Sequence, residues 1–537
     1  MTRKLLPLAE DMHSKDRPFM APLVQEPIRL VLTLTFKRLK MKKYVIIICV
    51  VLGLASCEDF LEEDARSMQT NENFYQTEED IESSVNSVYS FLYAPYARYG
   101  FDDFPSAMLE MVTGQWNNVS QYPETGFYYN LTNTSGSSYV KIFWESCYKG
   151  IESANLVIDN IEGVDFLDNG EKNSLLAEAR FLRGYYYYLL VNIFGDVPLK
   201  LTSTVSPIND GLLPKTPIAD IYDEAIVPDL IFAEENLKFA TPVANGRASV
   251  GAAKTLLAKV YLSMAGHPLN RDNTMELARA KSLEVMDSGD FSLFQSDGSL
   301  TWFDKLNNAD YDNLEEHIWD LNYNQPDYPN GFNIYFLPQG VVFTETAFFQ
   351  FGGYYPDESF LDSYASEDLR GRNNMGFFYN SFTTGGETYD FPWAVYKFFD
   401  KGILQTAPNN GKNFPLLRYA DVLLTYAEAQ NEVDGNPNAT SYQAVNDIRE
   451  RAGLAPVSGL TQSEFRKEVW KQRYWELCAE NKTYFDIVRT QMVFDTQLGD
   501  FVPLAGFELP SGAVVPGDYL PFPIPLSEVQ INPLLAD

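Results

Sequence analysis

Pairs of amphipathic helices separated by short turns recur along this chain and constrain its fold more than any other feature. One helix is predicted between Ser249 and Gly266, and its partner begins at Thr274. A second pair starts at residues 415–432 and continues with a helix capped by Thr440. Helix, turn and antiparallel helix is the unit of an α-solenoid repeat. The pattern therefore predicts a mainly α fold on a tetratricopeptide-like helical repeat scaffold.

Other helices are indicated by their capping residues. Thr77 is an N-cap with carboxylates in the following turn, and it predicts a helix that reaches about Tyr93. A longer helix is predicted over residues 175–195, where a glycine ends it. Its four consecutive tyrosines, 185–188, are interpreted as core residues whose hydroxyls find partners. A capping box at Thr461 opens a further helix.

The composition changes over residues 291–413, where Gly, Asn, Asp and aromatic residues dominate and only short β-like runs occur. The runs EEHIWDLNY and GFNIYFL are the clearest of these. We interpret this part as an irregular, loop-rich insertion with short strands. It divides the domain 77–537 into helical parts at 77–290 and 414–537.

The segment Met41–Cys57 reads MKKYVIIICVVLGLASC, with a basic start, a short apolar core and small residues before a cysteine. The apolar core is too short for a permanent membrane helix, so residues 41–56 are predicted to be a lipoprotein signal peptide. We expect Cys57 to be acylated, because several acyl chains hold a soluble domain at a membrane. Residues 1–40 do not fit a secretory start and are interpreted as a mis-assigned N-terminal extension. Residues 57–76 are predicted to be an acidic tether.

The charge of the chain limits its partners. Its formal net charge is −32, and residues 1–56 hold 10 of the 41 Lys and Arg but only 4 of the 73 Asp and Glu. The remainder therefore has 31 basic against 69 acidic side chains. Such a surface repels phosphate backbones, so we expect no nucleic acid partner.

Cysteine and histidine are too scarce to suggest metal or nucleophilic chemistry. After removal of the signal peptide and acylation of the first cysteine, Cys147 and Cys478 remain, either as a disulfide or as two buried thiols. His267 and His317 are the remaining histidines, and no zinc spacing or EF-hand loop is present in the sequence. We therefore expect no cofactor and no catalytic residue, although an acidic surface would attract structural Ca²⁺.

Five blocks carry a resemblance to a known family: AEARFLRGYYYYLLVNIFGDVPL at 177–199, GRASVGAAKTLLAKVYL at 246–262, LLRYADVLLTYAEAQNE at 416–432, AVNDIRERAGL at 444–454 and PFPIPLSEVQINPLL at 521–535. Their order and spacing resemble the SusD/RagB family of Bacteroidetes outer-membrane nutrient-binding lipoproteins. The acidic stretch behind Cys57 similarly resembles a surface-export signal. The resemblance implies a lid above a SusC-like TonB-dependent transporter that captures nutrients, mostly glycans, at the cell surface.

One block departs from the family pattern. Arg473, Glu476 and Asp486 match it, but Asn481 stands where the family has Gly and Thr483 where it has Arg. Asn tolerates the left-handed conformation, so we expect the turn to survive and a local ion pair to be lost.

A site for sugars needs exposed aromatic rings beside polar side chains, because rings stack on the C–H faces of sugars while amides bind hydroxyls. Trp116 lies between turn formers and is followed by Asn117 and Asn118, so it is the favoured candidate. Trp319 alternates with apolar residues and is interpreted as core. Four aromatic residues of the insertion complete the predicted site: Trp302, Tyr354, Tyr355 and Trp393.

Three other functions stay open on this sequence. A RagB-like importer would bind peptides, and a protein adaptor would use the groove between helices. A surface glycosidase would need two carboxylates across a cleft, and no motif in the sequence recommends a pair. Binding without hydrolysis is therefore the preferred prediction.

Overall fold

Helices make up most of the folded chain in the computed structural model. It describes residues 75–96, 104–118, 123–205, 212–324, 327–336, 355–384, 386–398, 410–517 and 519–536. These residues all belong to one unit, Phe74–Asp537. The mainly α fold predicted from the helix pairs is confirmed. No helix in these ranges is long and apolar enough to cross a bilayer.

The scaffold consists of helices that pack against their neighbours in sequence, such as Ser138–Ile161 on Asn169–Phe194 and Val250–Ala265 on Thr274–Ser288. The α-helices of eight or more residues are Glu78–Ser90, Ser138–Ile161, Asn169–Phe194, Val227–Asn236, Val250–Ala265, Thr274–Ser288, Tyr419–Asp434, Ala439–Arg451, Gln462–Glu476 and Thr483–Thr490. Shorter α-helical segments are Tyr93–Tyr96, Ala107–Met111, Pro123–Tyr129, Ile218–Ile221, Trp302–Asn307, Phe332–Phe336, Glu358–Asp362 and Leu526–Ile531.

Side-chain caps begin several of these helices. Thr77 and Thr461 form the predicted caps, each within a capping box. Asp168 caps the helix Asn169–Phe194, which therefore starts before the predicted position of Leu175. The cap of Ala439–Arg451 is Asn438, so the prediction of Thr440 as the cap was wrong.

The four consecutive tyrosines 185–188 lie in the core, as predicted, and each hydroxyl has a partner. Tyr186 donates to Val88 O at 2.6 Å, and Tyr187 donates to Lys200 O at 2.9 Å. The other two hydroxyls lie 2.9 Å from side-chain oxygens of Tyr96 and Ser263. The run is a packing feature of the scaffold and presents no platform to a ligand.

Short antiparallel strand pairs connect distant parts of the described chain. The pairs are Trp116–Asn117 with Tyr355–Pro356, His317–Leu321 with Phe414–Arg418, Phe378–Thr384 with Glu387–Val395, and Met492–Asp495 with Asp500–Pro503. Residues 415–418 are therefore strand, and the helix predicted from 415 begins only at Tyr419. The run GFNIYFL, which was predicted to be β-like, instead contains the helical turn Phe332–Phe336.

Three guanidinium groups surround the buried carboxylate of Glu476, at the end of the helix Gln462–Glu476. Arg451 lies 2.7 Å, Arg418 3.1 Å and Arg370 3.2 Å from its oxygens. Burial alone would raise the pKa of Glu476, but these three charges outweigh burial and lower it to about 2. The pairs tie the insertion to the C-terminal helices.

Two further predictions concern single residues. Cys147 and Cys478 are both buried free thiols, which decides between the alternatives left open. Asn481 has φ 59°, so it adopts the left-handed conformation expected where the family has Gly. Its turn separates Gln462–Glu476 from Thr483–Thr490.

Candidate functional site

A cleft of about 450 Å³ opens between the helix Glu78–Ser90 and the strand region of the insertion. We name it the Tyr93–Tyr328 cleft, after the two rings at its rim. Its lining residues are Glu82, Asn86, Tyr89, Ser90, Leu92, Tyr93, Asn245, Gly246, Arg247, Trp319, Asp320, Leu321, Asn322 and Tyr328. The cleft thus combines aromatic rings, amides and few charges.

One face of the first helix forms a wall of the cleft. Glu82, Asn86 and Tyr89 are spaced four and three residues apart, so they lie on the same side of the helix. The adjoining face carries the fully buried Ile81, Val85 and Val88. The amphipathic pattern that packs this helix on the scaffold therefore also directs its polar face toward the cleft.

The two tyrosines that name the cleft pack edge to face. Their ring centroids are 4.6 Å apart, with an interplanar angle of 68°. Tyr93 donates its hydroxyl to Asn322 O at 2.6 Å, and burial raises its pKa to about 12, so it stays protonated. Tyr328 is 49% exposed, and backbone hydrogen bonds with Asn324 at 2.9 and 3.0 Å hold its turn. Tyr328 therefore offers a supported aromatic surface to solvent.

Amide side chains lie beside the rings. Asn322 donates from Nδ2 to Ala244 O at 2.9 Å, and its Oδ1 accepts from Asn413 Nδ2 at 2.7 Å. Asn86 and Asn245 are exposed at the rim. Neutral donors and acceptors next to an aromatic surface are suited to a ligand that has both apolar faces and hydroxyl groups.

Arg247, which lines the cleft, belongs to a neutralised charge pair with Glu178. Arg247 donates from Nη1 to Glu178 Oε1 at 2.8 Å and from Nη2 to Asn86 Oδ1 at 3.1 Å. Tyr89 donates its hydroxyl to the other oxygen of Glu178 at 2.8 Å. Burial raises the pKa of Glu178, and the charge of Arg247 opposes this shift. The network joins the helices Glu78–Ser90 and Asn169–Phe194.

A larger cleft, of about 720 Å³, lies beside the C-terminal tail. Phe194 and Phe522 in its wall are buried, and the hydroxyl of the half-buried Tyr519 contacts Asn133. Among the described residues its Phe and Tyr rings are buried or half-buried, so it has no exposed ring like that of Tyr328 and matches a sugar site less well than the Tyr93–Tyr328 cleft does.

Two predicted site residues are corrected by their burial. Trp116 is completely buried, with Nε1 donating to Glu110 Oε2 at 2.7 Å and Phe360 5.8 Å away between ring centroids. Trp302 is 3% exposed and stacks on Phe303 at 3.7 Å. Because sugar stacking needs an open ring face, neither tryptophan can serve as a platform in this structure. Both are core residues. Trp319 is also buried, as predicted.

The remaining predicted site residues that the structure describes lie outside the cleft. Asn117 and Tyr355 are half-buried and paired across two strands, so the structure brings together parts of the site that are distant in sequence. Asn118 and Trp393 are half-buried, and Arg372 lies 5.9 Å from the ring centroid of Trp393. Tyr354 and Cys57 lie outside the described residues.

Sequence reasoning missed both rings of the cleft. Tyr328 stands in QPDYPNG, an aromatic residue among turn formers, which is the same signal that favoured Trp116. Tyr93 continues the polar face of the first helix beyond Tyr89. Local signals could have proposed each ring, but not their contact across the fold.

Within the described ranges, one group of side chains has possible ligand atoms close enough together to hold a metal ion. These side chains are Asp312, His317 and Asp320. His317 Nδ1 lies 2.9 Å from Asp320 Oδ2, and the ammonium group of Lys412 pairs with Asp312. Lys412 therefore already supplies positive charge to this buried group, and the arrangement gives no separate reason for a Ca²⁺ ion.

Two family models match the chain, one on each side of the middle of the sequence. The model described as "SusD family" matches residues 342–536, and the model described as "Starch-binding associating with outer membrane" matches residues 59–262. The matches together take in most of the chain beyond the predicted signal peptide.

Individual relatives agree with these models. A SusD superfamily protein of Parabacteroides distasonis is 33% identical, with 85% of this chain and 98% of that one covered and a TM-score of 0.79. SusD-like protein P25 of Formosa agariphila is 26% identical, with 93% and 98% covered. Surface glycan-binding protein A of Bacteroides uniformis is 18% identical, with 85% and 98% covered and a TM-score of 0.69, a similarity of fold. On its fold and these matches, the chain belongs to the SusD family.

Proposed function

We propose that this protein binds oligosaccharide in the Tyr93–Tyr328 cleft at the cell surface and delivers it to a SusC-like TonB-dependent transporter. The observation that carries the proposal is the exposed ring of Tyr328. This ring packs edge to face against Tyr93 and lies beside the amide of Asn322. Such a surface can cover the C–H face of a sugar while amides bind its hydroxyls.

The affinity expected from this site is modest. One stacked ring contributes about 1–2 kcal/mol, and association costs roughly 4 kcal/mol or more, so several contacts must act together. A weakly held ligand is easily released, which suits delivery to a transporter. The surface glycan-binding relative supports a carbohydrate ligand, and the family description "associating with outer membrane" supports the location.

The proposed location uses the predicted signal peptide. Acylation of Cys57 would anchor the protein, and the acidic residues that follow would carry it to the outer face of the outer membrane. The proposed role is binding without catalysis. In the cleft, the carboxylate of Asp320 is paired with His317, and that of Glu82 is exposed at the rim.

The test is retardation in native gels that contain polysaccharide, followed by titration calorimetry with the oligosaccharide that binds. Tyr328→Ala should weaken binding about five- to thirtyfold, which corresponds to about 1–2 kcal/mol. The matched control is Phe166→Ala, which removes another exposed ring, 47% accessible against 49% for Tyr328, outside the cleft. Unchanged retardation of Tyr328→Ala would show that the cleft is not the site. Binding of peptides but of no polysaccharide would favour the RagB-like alternative.

A further inference from the structure

The charges around the Tyr93–Tyr328 cleft limit the class of sugar that it can accept. Arg247 is the single cation among the described residues that line it. Its side chain is 14% exposed and its Nη1 lies 2.8 Å from the carboxylate of Glu178, which is 3% exposed. A guanidinium that is covered and already paired has little capacity to bind a second anion.

The rim adds negative charge. Glu82 is exposed on the helix face that lines the cleft. An adjoining cleft of about 420 Å³ shares Glu82, Asn245 and Arg247 with it. That neighbour is lined in addition by the carboxylates of Asp168 and Glu171 and by one further cation, Lys238. A ligand that extends along both clefts therefore meets more carboxylates than cations.

A carboxylate or sulfate on the ligand would be repelled here, because exposed charges a few ångströms apart still interact in water. The repulsion is screened by salt, with a Debye length of about 10 Å at 0.1 M and about 30 Å at 0.01 M ionic strength. Hydroxyl groups have no such penalty, and the exposed amides can bind them.

We infer, on the basis of the proposed function, that the cleft selects neutral oligosaccharides and rejects uronic acid and sulfated ones. The selection comes from the absence of an available cation among the described lining residues and from the carboxylate of Glu82. It is a property of this chain's own side chains at positions 82, 178 and 247.

The experiment compares matched probes by calorimetry at low and moderate salt. The probes are uronic acid hexasaccharides with their carboxyl-reduced counterparts, and sulfated hexasaccharides with their desulfated counterparts. At about 0.02 M salt the neutral member should bind about five- to tenfold more tightly than the anionic member, and the ratio should shrink at about 0.2 M. Both affinities should depend on Tyr328.

A charge reversal at position 82 tests whether Glu82 causes the preference for neutral sugars. Glu82→Lys should lower the ratio of neutral to anionic affinity at least threefold. The matched control is Glu79→Lys, which changes the net charge equally on the same helix but lies outside both clefts. Glu79→Lys should change the ratio less than Glu82→Lys does, because its charge lies about one helical turn away from the cleft lining.

The outcomes separate the two proposals. If an anionic probe binds as tightly as its neutral counterpart and binding is lost in Tyr328→Ala, the charge inference is overturned and the proposed function stands. If no probe binds in a manner that depends on Tyr328, the proposed function is overturned and this inference with it. An equal effect of Glu79→Lys and Glu82→Lys would also overturn the inference, since net charge alone would then explain it.

Discussion

Trp116 and Asn481 both donate to one buried carboxylate, Glu110, and this contact defines what Trp116 does. The Trp116 Nε1 lies 2.7 Å from Oε2, and the Asn481 backbone N lies 2.5 Å from Oε1. Burial raises the pKa of Glu110 to about 7, against the opposing effect of these hydrogen bonds. Trp116 thus contributes both apolar burial and a hydrogen-bond donor to a buried carboxylate.

Trp116→Ala should lower the free energy of unfolding by about 3–5 kcal/mol, because it leaves a large cavity and removes a hydrogen bond from Glu110. Tyr328→Ala should change it by about 0.5 kcal/mol or less, because half of that ring is exposed. Chemical denaturation of the two variants measures both. A Trp116→Ala protein of native stability would contradict the assignment of Trp116 to the core.

A second prediction at the residue scale concerns the backbone conformation of Asn481. Its φ of 59° is costly for an alanine but not for a glycine. Asn481→Ala should therefore lower the free energy of unfolding by about 1–2 kcal/mol, whereas Asn481→Gly should leave it nearly unchanged. Urea unfolding of both variants separates strain from loss of the side chain. Equal losses in the two would mean that the Asn481 side chain, and not its conformation, matters.

Single residues were predictable where local chemistry decides their conformation. The caps Thr77 and Thr461 follow from neighbours in sequence, and the left-handed Asn481 follows from the family pattern, which has Gly at that position. Trp116 and Tyr328 have similar local contexts, but one is buried and the other exposed. Their difference depends on partners such as Phe360, more than 200 residues away from Trp116, and no local rule reports those.

At the scale of elements, the helix Gln462–Glu476 is fixed to the insertion through its last residue. The pKa of Glu476, normally 4.5, is lowered to about 2 because three arginines outweigh the effect of burial. A lowered acid pKa stabilises the fold above the unfolded-state value and loses this contribution as the pH falls toward the folded-state value. The sensitive window for Glu476 is therefore from about pH 4.5 down to about pH 2.

The native protein should lose stability across this window, with about 3 kcal/mol due to Glu476 alone. Glu476→Gln should be less stable at pH 7, because it leaves the arginines short of a counter-charge. Its stability should fall less steeply between pH 4.5 and pH 2 than that of the native protein. Thermal melting across this pH range measures the two slopes. Parallel curves for the two proteins would contradict the lowered pKa.

Elements were predicted well when their signals are local and poorly when they depend on distant pairing. Helices with caps and amphipathic patterns, such as Val250–Ala265 and Thr274–Ser288, lie within one residue of their predicted limits. Residues 415–418 of the strand Phe414–Arg418 were predicted as helix, because their buried apolar side chains fit either form. Its partner His317–Leu321 lies about a hundred residues earlier, and only that pairing makes it a strand.

At the scale of the whole molecule, the candidate site is formed by tertiary contacts. One wall of the Tyr93–Tyr328 cleft comes from the first scaffold helix, and the other comes from residues 319–328 of the insertion. The sequence predicted the scaffold, the insertion and the kind of residues a sugar site needs. It could not predict which aromatic residues meet, because the two walls are more than 200 residues apart.

The last prediction concerns the proposed lipid anchor at Cys57, on which the proposed cell-surface binding depends. Cys49 and Cys57 lie eight residues apart in the predicted signal region, but only Cys57 follows the small residues that a lipoprotein signal peptidase accepts. Cys57→Ser should abolish incorporation of a palmitate tracer and move the protein from the membrane fraction to a soluble one. Cys49→Ser is the matched control and should do neither, because Cys49 lies within the predicted signal peptide and would leave with it.

The same pair of variants separates anchoring from recognition. Two or more acyl chains, each contributing about 0.8 kcal/mol per buried methylene, are enough to keep a soluble domain on a membrane. The ring of Tyr328 and the charge of Glu82 belong to the folded unit Phe74–Asp537, which does not include Cys57. Purified Cys57→Ser protein should therefore bind its oligosaccharide with native affinity, although cells that carry it should no longer display binding at their surface. Palmitate labelling of Cys57→Ser equal to that of Cys49→Ser would rule out Cys57 as the acylated residue.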